Sequence, residues 1–452
     1  MRIAKAKFHF IGIGGIGMSG LAEILRNLGA RVQGSDAKES QQTRHLKNLG
    51  IEVFVGHRAG QVKDSDVVVY SSAIPEDNPE IQEARANKIP IIPRAEVLAE
   101  LMRLKRGVAV GGSHGKTTTT AMTASVFLEA KKDPTVVVGG RVDLIKSNAL
   151  LGQGEWMIAE ADESDGSFLK LSPEITVITN IDNDHLDFHK NMEGLESAFF
   201  QFALRTPFYG HTIVCGDDTR IRQLFRDYHK RILYYGFGPN NDFVLKALGS
   251  EKYQVAQRGQ VLGEFQLSVP GRHNALNALA AVVCGLEADI PFEVIAKGLR
   301  SFSGVDRRFQ SKGEVAGIRV YDDYGHHPTE VRAVIQAARE RFPKDRLVVA
   351  FQPHRYSRTQ ICWNEFLSCF EGADLVWMWD IYPASERPIP GITAQRLAGE
   401  IENTKCIYVA SGPKALDEVV AGLRPGDVLV TLGAGDISEI GPRVLEGLRS
   451  KS

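Results

Sequence analysis

The sequence predicts an α/β protein with three domains: Rossmann-like at the N-terminus, a P-loop ATPase in the centre, and Rossmann-like again at the C-terminus. Three observations carry this. Short apolar runs that stop at polar loops alternate with helical segments along most of the 452 residues. Two glycine turns, Gly12 to Gly17 and Gly111 to Gly115, each follow such a run and each open a helix. The last third of the chain repeats the alternation, with a polar loop behind each strand. The length calls for several cores, and the expected boundaries are 1–106, 107–313 and 314–452.

Composition narrows the functional classes. Hydrophobic residues make up 43% and charged residues 24%, as in ordinary globular proteins. A net charge of -1 gives no electrostatic case for nucleic acid or an anionic membrane. No apolar run is long enough to span a bilayer, and the basic start Met1 to Lys7 leads into a glycine turn rather than a secretory signal. The cysteines Cys215, Cys284, Cys362, Cys369 and Cys406 are scattered without C-x-x-C spacing, which fits reduced thiols and a cytoplasmic location.

The first element is a strand, Phe8 to Ile11. Gly12-Ile13-Gly14-Gly15-Ile16-Gly17 then satisfies G-x-G-x-x-G, Met18 to Leu28 reads as a helix, and Arg31 to Gln33 as a second strand. Asp36 follows the glycines by about 20 residues, the place of a ribose-binding acid. The pattern points to a diphosphate ligand, because backbone N–H groups at a helix N-terminus read phosphate and not a nicotinamide ring. A strand over Asp66 to Tyr70, a turn over Ser71 to Pro75, a helix over Pro79 to Ala86, a strand over Ile89 to Ile92 and a helix from Arg94 complete this domain.

The second glycine turn is Gly111-Gly112-Ser113-His114-Gly115-Lys116-Thr117, between the apolar run Val108 to Val110 and a helix over Thr118 to Ala130. It departs from G-x-x-x-x-G-K-[ST], since the first glycine of that pattern falls on Val110. The chemistry is that of a phosphate loop. Glycines let N–H groups crowd round phosphate oxygens, Lys116 reaches the terminal phosphates, and Thr117 holds a divalent cation through its hydroxyl. Two further strand ends bring acids to the same sheet edge. Trp156 to Ala159 stops at Glu160, ahead of Ala161-Asp162-Glu163-Ser164-Asp165, and Ile175 to Thr179 leads into Asn180 to Asp187. His185 and His189 are four apart, but there is no H-E-x-x-H order, so a zinc pair is not expected.

Farther on, Pro270-Gly271-Arg272-His273 starts an alanine-rich helix in which Asn274 and Asn277 share a face. Their amides suit an adenine edge or, equally, a capped helix start. Gly304 to Phe309 reads as a linker carrying Arg307 and Arg308. Strands are then expected at Ile318 to Tyr321, Leu347 to Phe351, Leu375 to Trp379, Cys406 to Val409 and Val428 to Leu432. The loops behind them hold Asp322 to Pro328, Gln352 to Arg358 and Gly433 to Asp436. Several polar loops on one sheet edge mark a site.

Taken in order, Gly12 to Gly17, Gly115-Lys116-Thr117-Thr118, Glu160 to Asp165, Thr179-Asn180-Ile181, Asp184-His185-Leu186-Asp187, Gly271 to Asn274 and Asp322 to Pro328 closely resemble the Mur ligases of peptidoglycan synthesis. The resemblance covers nearly the whole chain and is weakest over Asp218 to Val269. It implies that ATP and Mg²⁺, or Mn²⁺ in its place, drive the joining of an amine to a carboxylate. The implied substrates are UDP-N-acetylmuramate and L-alanine. Gly14, Gly15, Ile16 and Gly17 would hold the sugar-nucleotide diphosphate, with Ser71 beside the same ligand and Asp36 near the uridine end. Gly112, Ser113, His114, Gly115, Lys116, Thr117 and Thr118 would cradle the ATP phosphates. Thr117 and Glu160 would hold the first cation and His185 the second. Asn274 and Asn277 would meet adenine, Asp322 or Asp323 the ribose, and Arg307 or Arg308 the transferring phosphoryl group. Tyr324, His326, Arg355 and Arg358 would surround the incoming amino acid. One departure stands out. Relatives in this family carry a lysine, carbamylated by CO₂, in the helix after the Asp-His-Leu-Asp motif, and Asn191 to Tyr209 here contains none.

The implied chemistry follows from the carboxylate. It has no usable leaving group until its oxygen is phosphorylated, and the resulting acyl phosphate is open to an amine. Rival readings are a recycling ligase that adds a tripeptide to the same sugar nucleotide, an NAD-dependent oxidoreductase built on Gly12 to Gly17 and Asp36, and a non-catalytic nucleotide switch. The oxidoreductase leaves Lys116 and Thr117 without a task.

Overall fold

The computed structural model describes residues 3–71, 73–142, 147–249, 251–410 and 413–450. Ser72, in the turn expected after Tyr70, lies outside them. The chain divides into two compact units, residues 1–266 with 276–303, and residues 267–275 with 304–452.

The first unit holds two sheets. In the N-terminal one, β1 (Lys7–Ile11), β2 (Arg31–Asp36), β3 (Glu52–Val55), β4 (Val67–Tyr70) and β5 (Ile91–Pro93) lie in the order β3-β2-β1-β4-β5, all parallel. The strand order reverses between β1 and β4, so the glycine turn behind β1 opens on the crevice where doubly wound sheets take ligands. The buried Glu80 carboxylate ties this sheet together, bonding His9 on β1 (2.9 Å), Ser35 on β2 (2.6 Å) and His57 (2.8 Å). β3 escapes sequence analysis because it is a short edge strand, Glu52-Val53-Phe54-Val55, with both ends exposed. β5 runs two residues later than Ile89 and ends on Pro93, tolerated at an edge where no further N–H is required.

The central sheet has ten strands: β6 (Arg106–Gly111), β7 (Thr135–Val142), β8 (Ser147–Leu150), β9 (Trp156–Glu160), β10 (Ile175–Ile178), β11 (His211–Cys215), β12 (Ile232–Gly236), β13 (Phe243–Gly249), β14 (Lys252–Gln257) and β15 (Gln260–Gln266). Their order is β15-β14-β13-β12-β11-β10-β6-β9-β7-β8. Strands β13 to β15 form an antiparallel meander over the stretch where the family resemblance was weakest. β6 sits between β10 and β9, with Gly111 opposite Ile178 and Val110 opposite Glu160. The phosphate loop behind β6 is therefore flanked by the polar loops behind β9 and β10.

The second unit holds β16 (Gln310–Val315), β17 (Ile318–Asp323), β18 (Arg346–Phe351), β19 (Leu375–Trp379), β20 (Cys406–Val409) and β21 (Asp427–Leu432), ordered β16-β17-β21-β18-β19-β20. Only the β16–β17 pair is antiparallel. Leu347, Val349 and Phe351 enter one core and Val348 and Ala350 the other, so β18 is buried on both faces and reads as an unbroken apolar run. Two expectations need correction. The sheet starts at Gln310, ahead of the 313/314 boundary, because Gln310 already pairs with Asp322. Asp322 and Asp323 are the last residues of β17, not part of the loop behind it, because the ladder to β21 extends through Asp323 and Leu432.

His273 offers a pH test of this unit. Burial pushes its pKa down to about 4, Arg308 adds to the effect and Glu330 opposes it. The folded value lies below the ordinary one for histidine, so the unfolded chain takes up this proton first as pH falls. The stability that depends on a neutral His273 is complete above about pH 6.5 and is lost towards pH 4. Between pH 7 and 4.5 the melting temperature of His273→Gln should fall less than that of the parent chain, as read by thermal melts across that range.

Candidate active site

The phosphate loop is held by the chain behind β10. His114 donates its backbone N–H to Asn180 Oδ1 (2.8 Å), and its carbonyl accepts from Thr179 Oγ1 (2.5 Å) and Asn180 Nδ2 (3.0 Å). Ser113 N donates to Asn180 O (3.0 Å), and Asp182 N donates to Ser113 Oγ (2.9 Å). The His114 ring meets Asp182 at 2.9 Å. The fit explains the glycine: Gly112 has φ +130°, and a Cβ there would lie 2.0 Å from Thr179 Oγ1. The helix Lys116–Glu129 starts from Gly115, with φ 81°. Two of its threonines bond back within the helix, Thr120 Oγ1 to Lys116 O (2.8 Å) and Thr123 Oγ1 to Thr119 O (2.8 Å), so these hydroxyls can be buried. Thr118 is buried in its first turn. Thr119 Oγ1 donates to Asn277 Oδ1 (3.1 Å), which puts Asn277 beside the loop. Asn274 donates to Pro270 O (2.7 Å).

The charges sit on this frame. Lys116 Nζ donates to Gly112 O (2.7 Å), Ser113 O (3.2 Å) and Glu163 Oε1 (2.7 Å). Burial opposes its charge, but Glu163, Asp162 and Glu160 outweigh that, and its pKa is pushed up to about 12. Burial holds the Glu163 carboxyl well above the usual carboxylate range despite Lys116. Thr117 Oγ1 donates to Glu160 Oε1 (3.1 Å), and Glu160 Oε2 accepts from Gly139 N (2.7 Å). His185, at φ 57°, places Nε2 3.9 Å from Glu163 Oε1, and the His189 ring meets Glu163 O at 2.8 Å. Thr117, Glu160, His185 and Lys116 thus gather at one edge of the central sheet. Hydroxyl and carboxylate oxygens with one imidazole form a donor set for Mg²⁺ or Mn²⁺, and the buried Glu163 Oε2 has no hydrogen-bond partner. Glu163 lies within the Glu160 to Asp165 motif, and sequence spacing does not show which of its acids turns inward.

The N-terminal glycine turn has its own lock. Gly12 N and Ile13 N donate to Ser35 O (2.8 and 2.9 Å), and Gly14 N donates to Asp36 Oδ2 (2.9 Å). A Cβ at Gly14 would lie 2.9 Å from that oxygen. Asp36 therefore already shapes the turn. Gly15 caps the helix Ile16–Asn27, and Ser71 follows β4 beside the turn. Arg94 sits against Gly17, 2.8 Å from where a Cβ would stand, and 3.8 Å from Asp162. The signal for Arg94 was a cation in the first turn of the helix Arg94–Met102, where the helix dipole disfavours one.

In the second unit Arg307 Nε donates to Asp322 Oδ2 (3.2 Å), and its Nη2 donates to Gly433 O. Asp322 also accepts from Thr431 Oγ1 (2.7 Å), and Asp323 accepts from Gly325 N and Phe309 N (both 2.7 Å). Both carboxylates are buried and bonded within the fold, which makes them anchors of Arg307 and of the chain on either side of β17. Arg307 and Arg308 lie 5.0 and 5.4 Å from the Tyr324 ring. His326 meets that ring edge-on at 5.4 Å and lies 5.6 Å from the His354 ring. His354 stacks on Tyr382 and meets Arg358 Nη1 at 3.2 Å. Arg355 N donates to Tyr382 O (2.8 Å). Tyr324, His326, Arg355 and Arg358 therefore share a cluster, joined through His354 and Tyr382, two residues to which sequence analysis assigned no role.

A glycine loop with a partly buried lysine, a Thr117–Glu160 hydrogen bond beside it, and a glycine turn on a second sheet fit a nucleotide-dependent enzyme of the ligase kind. Three family models match in succession: "Mur ligase family, catalytic domain" over residues 7–106, "Mur ligase middle domain" over 110–285 and "Mur ligase, glutamate ligase domain" over 307–435. The chain belongs to the Mur ligase family. It is 58% identical to the UDP-N-acetylmuramate–L-alanine ligase of Bdellovibrio bacteriovorus over 99% of this chain and 100% of the relative. It is 51% identical to the enzyme of that name from Nitratidesulfovibrio vulgaris, over 97% and 98%. Its fold matches the crystal structure of the UDP-N-acetylmuramate–alanine ligase of Thermotoga maritima with a TM-score of 0.83 at 31% identity, over 99% and 100% of the two chains. A murein peptide ligase from Psychrobacter arcticus shares the fold, with a TM-score of 0.73 at 21% identity, over 98% and 99%.

Gly112→Ala should destabilise the chain by about 1–3 kcal/mol and abolish the rise in melting temperature that saturating MgATP gives the parent. Thermal melts with and without nucleotide read both effects.

Proposed function

We propose that this chain joins L-alanine to the muramoyl carboxylate of UDP-N-acetylmuramate, using ATP and releasing ADP and phosphate, in the cytoplasmic synthesis of peptidoglycan precursors. The observation that carries the reading is the constellation round the phosphate loop, Lys116 against Glu163 and Thr117 against Glu160 with His185 beside them. Near-full-length identity to ligases of that name supports the choice of substrates.

The first step transfers the γ-phosphoryl group to the carboxylate and makes an acyl phosphate. The amine of alanine then attacks the acyl carbon, and the tetrahedral intermediate expels phosphate. Two anions meet in the first step, so positive charge at the phosphates decides its rate. Lys116 keeps its proton far above neutral pH and brings that charge to the loop. Mg²⁺, when bound, neutralises further phosphate charge, and Thr117, Glu160 and His185 are the residues that would hold it. The N–H groups from Gly14 to Gly17, with Arg94 beside them, would hold the sugar-nucleotide diphosphate. In the second unit Arg307 and Arg308 would serve the phosphoryl group, and Tyr324, His326, Arg355 and Arg358 the amino acid. Asn277, bonded to Thr119, would face adenine together with Asn274.

The test is phosphate release from ATP with UDP-N-acetylmuramate, screened across amino acids and the murein tripeptide. Alanine-dependent release is expected, and tripeptide-dependent release without alanine would reassign the chain to recycling. Lys116→Ala should lower turnover by a factor on the order of 10² or more, while calorimetry shows sugar-nucleotide binding intact. Since Asn191 to Tyr209 contains no lysine, activity should not change when CO₂ is depleted at mildly acidic pH, and bicarbonate should not rescue His185→Ala. Steady-state rates with and without bicarbonate decide this.

A further inference from the structure

We infer that Glu163 is a protein ligand of the second divalent cation, sharing it with His185 through Oε2 while Oε1 keeps hold of Lys116. The inference rests on the ATP-dependent ligase reading above. Glu163 is fully buried, and its two oxygens have different surroundings. Oε1 accepts from Lys116 Nζ at 2.7 Å. Oε2 is buried with no hydrogen-bond partner. A buried carboxylate oxygen left in that state costs free energy, and folded proteins supply such atoms with a partner or reserve them for an ion. Two donors that bond other atoms of Glu163 are already engaged. The three protons of Lys116 are spent on Gly112 O, Ser113 O and Glu163 Oε1, and the His189 ring bonds the Glu163 carbonyl instead of its carboxylate.

His185 supplies the second half of the argument. Its Nε2 stands 3.9 Å from Glu163 Oε1, too far for a hydrogen bond. Two atoms bound to one octahedral ion at about 2.1 Å are separated by about 3.0 Å when adjacent and about 4.2 Å when opposite. The observed separation is to Oε1, the oxygen bonded to Lys116; it sets the Glu163 carboxylate within reach of an ion held at His185, and Oε2 is the oxygen of that carboxylate without a hydrogen-bond partner. His185 is held there by a left-handed backbone, φ 57°, with its N–H on Asp184 Oδ1 at 2.9 Å. A non-glycine residue adopts that conformation at a cost, which is met where the surroundings fix it for a task. One carboxylate would thus join the phosphate-loop lysine to the cation, so that both charges reach the phosphates in a fixed relation.

Crystals of the unsubstituted chain with Mn²⁺, a non-hydrolysable ATP analogue and UDP-N-acetylmuramate test this directly. Two anomalous peaks per chain are expected, the one at His185 within about 2.5 Å of a Glu163 oxygen. A peak at His185 with both Glu163 oxygens beyond about 3.5 Å overturns the inference. In solution, electron paramagnetic resonance titration of Mn²⁺ in the presence of the same analogue should show Glu163→Gln weakening the second site about tenfold or more. His185→Asn should weaken the same site, and the Thr117–Glu160 site should stay within about twofold in both. An unchanged second site in Glu163→Gln would leave the ligase reading standing and remove this inference alone. Absence of any nucleotide-dependent Mn²⁺ binding by the parent chain would overturn both.

Discussion

Everything chemical in the first unit depends on one lateral constraint, the bolting of the phosphate loop to the chain behind β10. Parallel pairing sets Ile178 beside Gly111, so the two strands release their chains at the same level. Thr179 and Asn180 then take up the backbone of Ser113 and His114, and Asp182 meets the Ser113 hydroxyl and the His114 ring. A loop meant to surround phosphate must present its N–H groups before the ligand arrives, and a loop free to wander would spend binding energy on being ordered. The Thr-Asn pair meets that cost at folding. Its side chains use the loop's carbonyls and one N–H, leaving the helix N-terminus at Lys116 to face an anion.

The same edge manages a large charge. Lys116 lies among Glu160, Asp162 and Glu163, and these acids outweigh the burial that opposes its charge. Opposite the loop, Glu160 ties Thr117 to the backbone of Gly139 and so joins β9 to β7 through a residue that can also meet a cation. The second unit follows a like economy. Asp322 and Asp323 are spent on holding Arg307 and the backbone of Phe309 and Gly325, and the exposed Tyr324 lies within reach of both arginines. Buried acids hold the cations in place.

Strands buried on both faces were legible because they are mostly apolar: β1, β6, β9, β10, β18 and β19 all fall where Val, Ile, Phe, Leu and Trp cluster, with His9 and Thr176 as buried polar exceptions. The strands that sequence patterning does not mark include the edges β3 and β16. There one face meets water, and the exposed ends Glu52 and Val55 carry no signal that a short window can separate from a loop. Site residues divide in the same way. Lys116, Thr117 and Glu160 are tied to a glycine motif and a strand end, which the one-dimensional pattern marks. Arg94, Glu163, His354 and Tyr382 matter through neighbours far away in the chain.

By itself the sequence determined the α/β class, the two glycine turns, the place of Lys116 behind the second of them and the family, since each rests on local spacing or on an ordered series of motifs. Only the tertiary structure decided the strand order that sets β6 between β9 and β10, the burial of Asp322 and Asp323, and which of the acids from Glu160 to Asp165 turns inward to Lys116. The physical reason is that side-chain direction and burial are set by contacts between strands and loops distant in sequence. Neighbouring acids such as Asp162 and Glu163 have nearly the same composition and spacing, yet fold into surroundings that give them opposite pKa shifts.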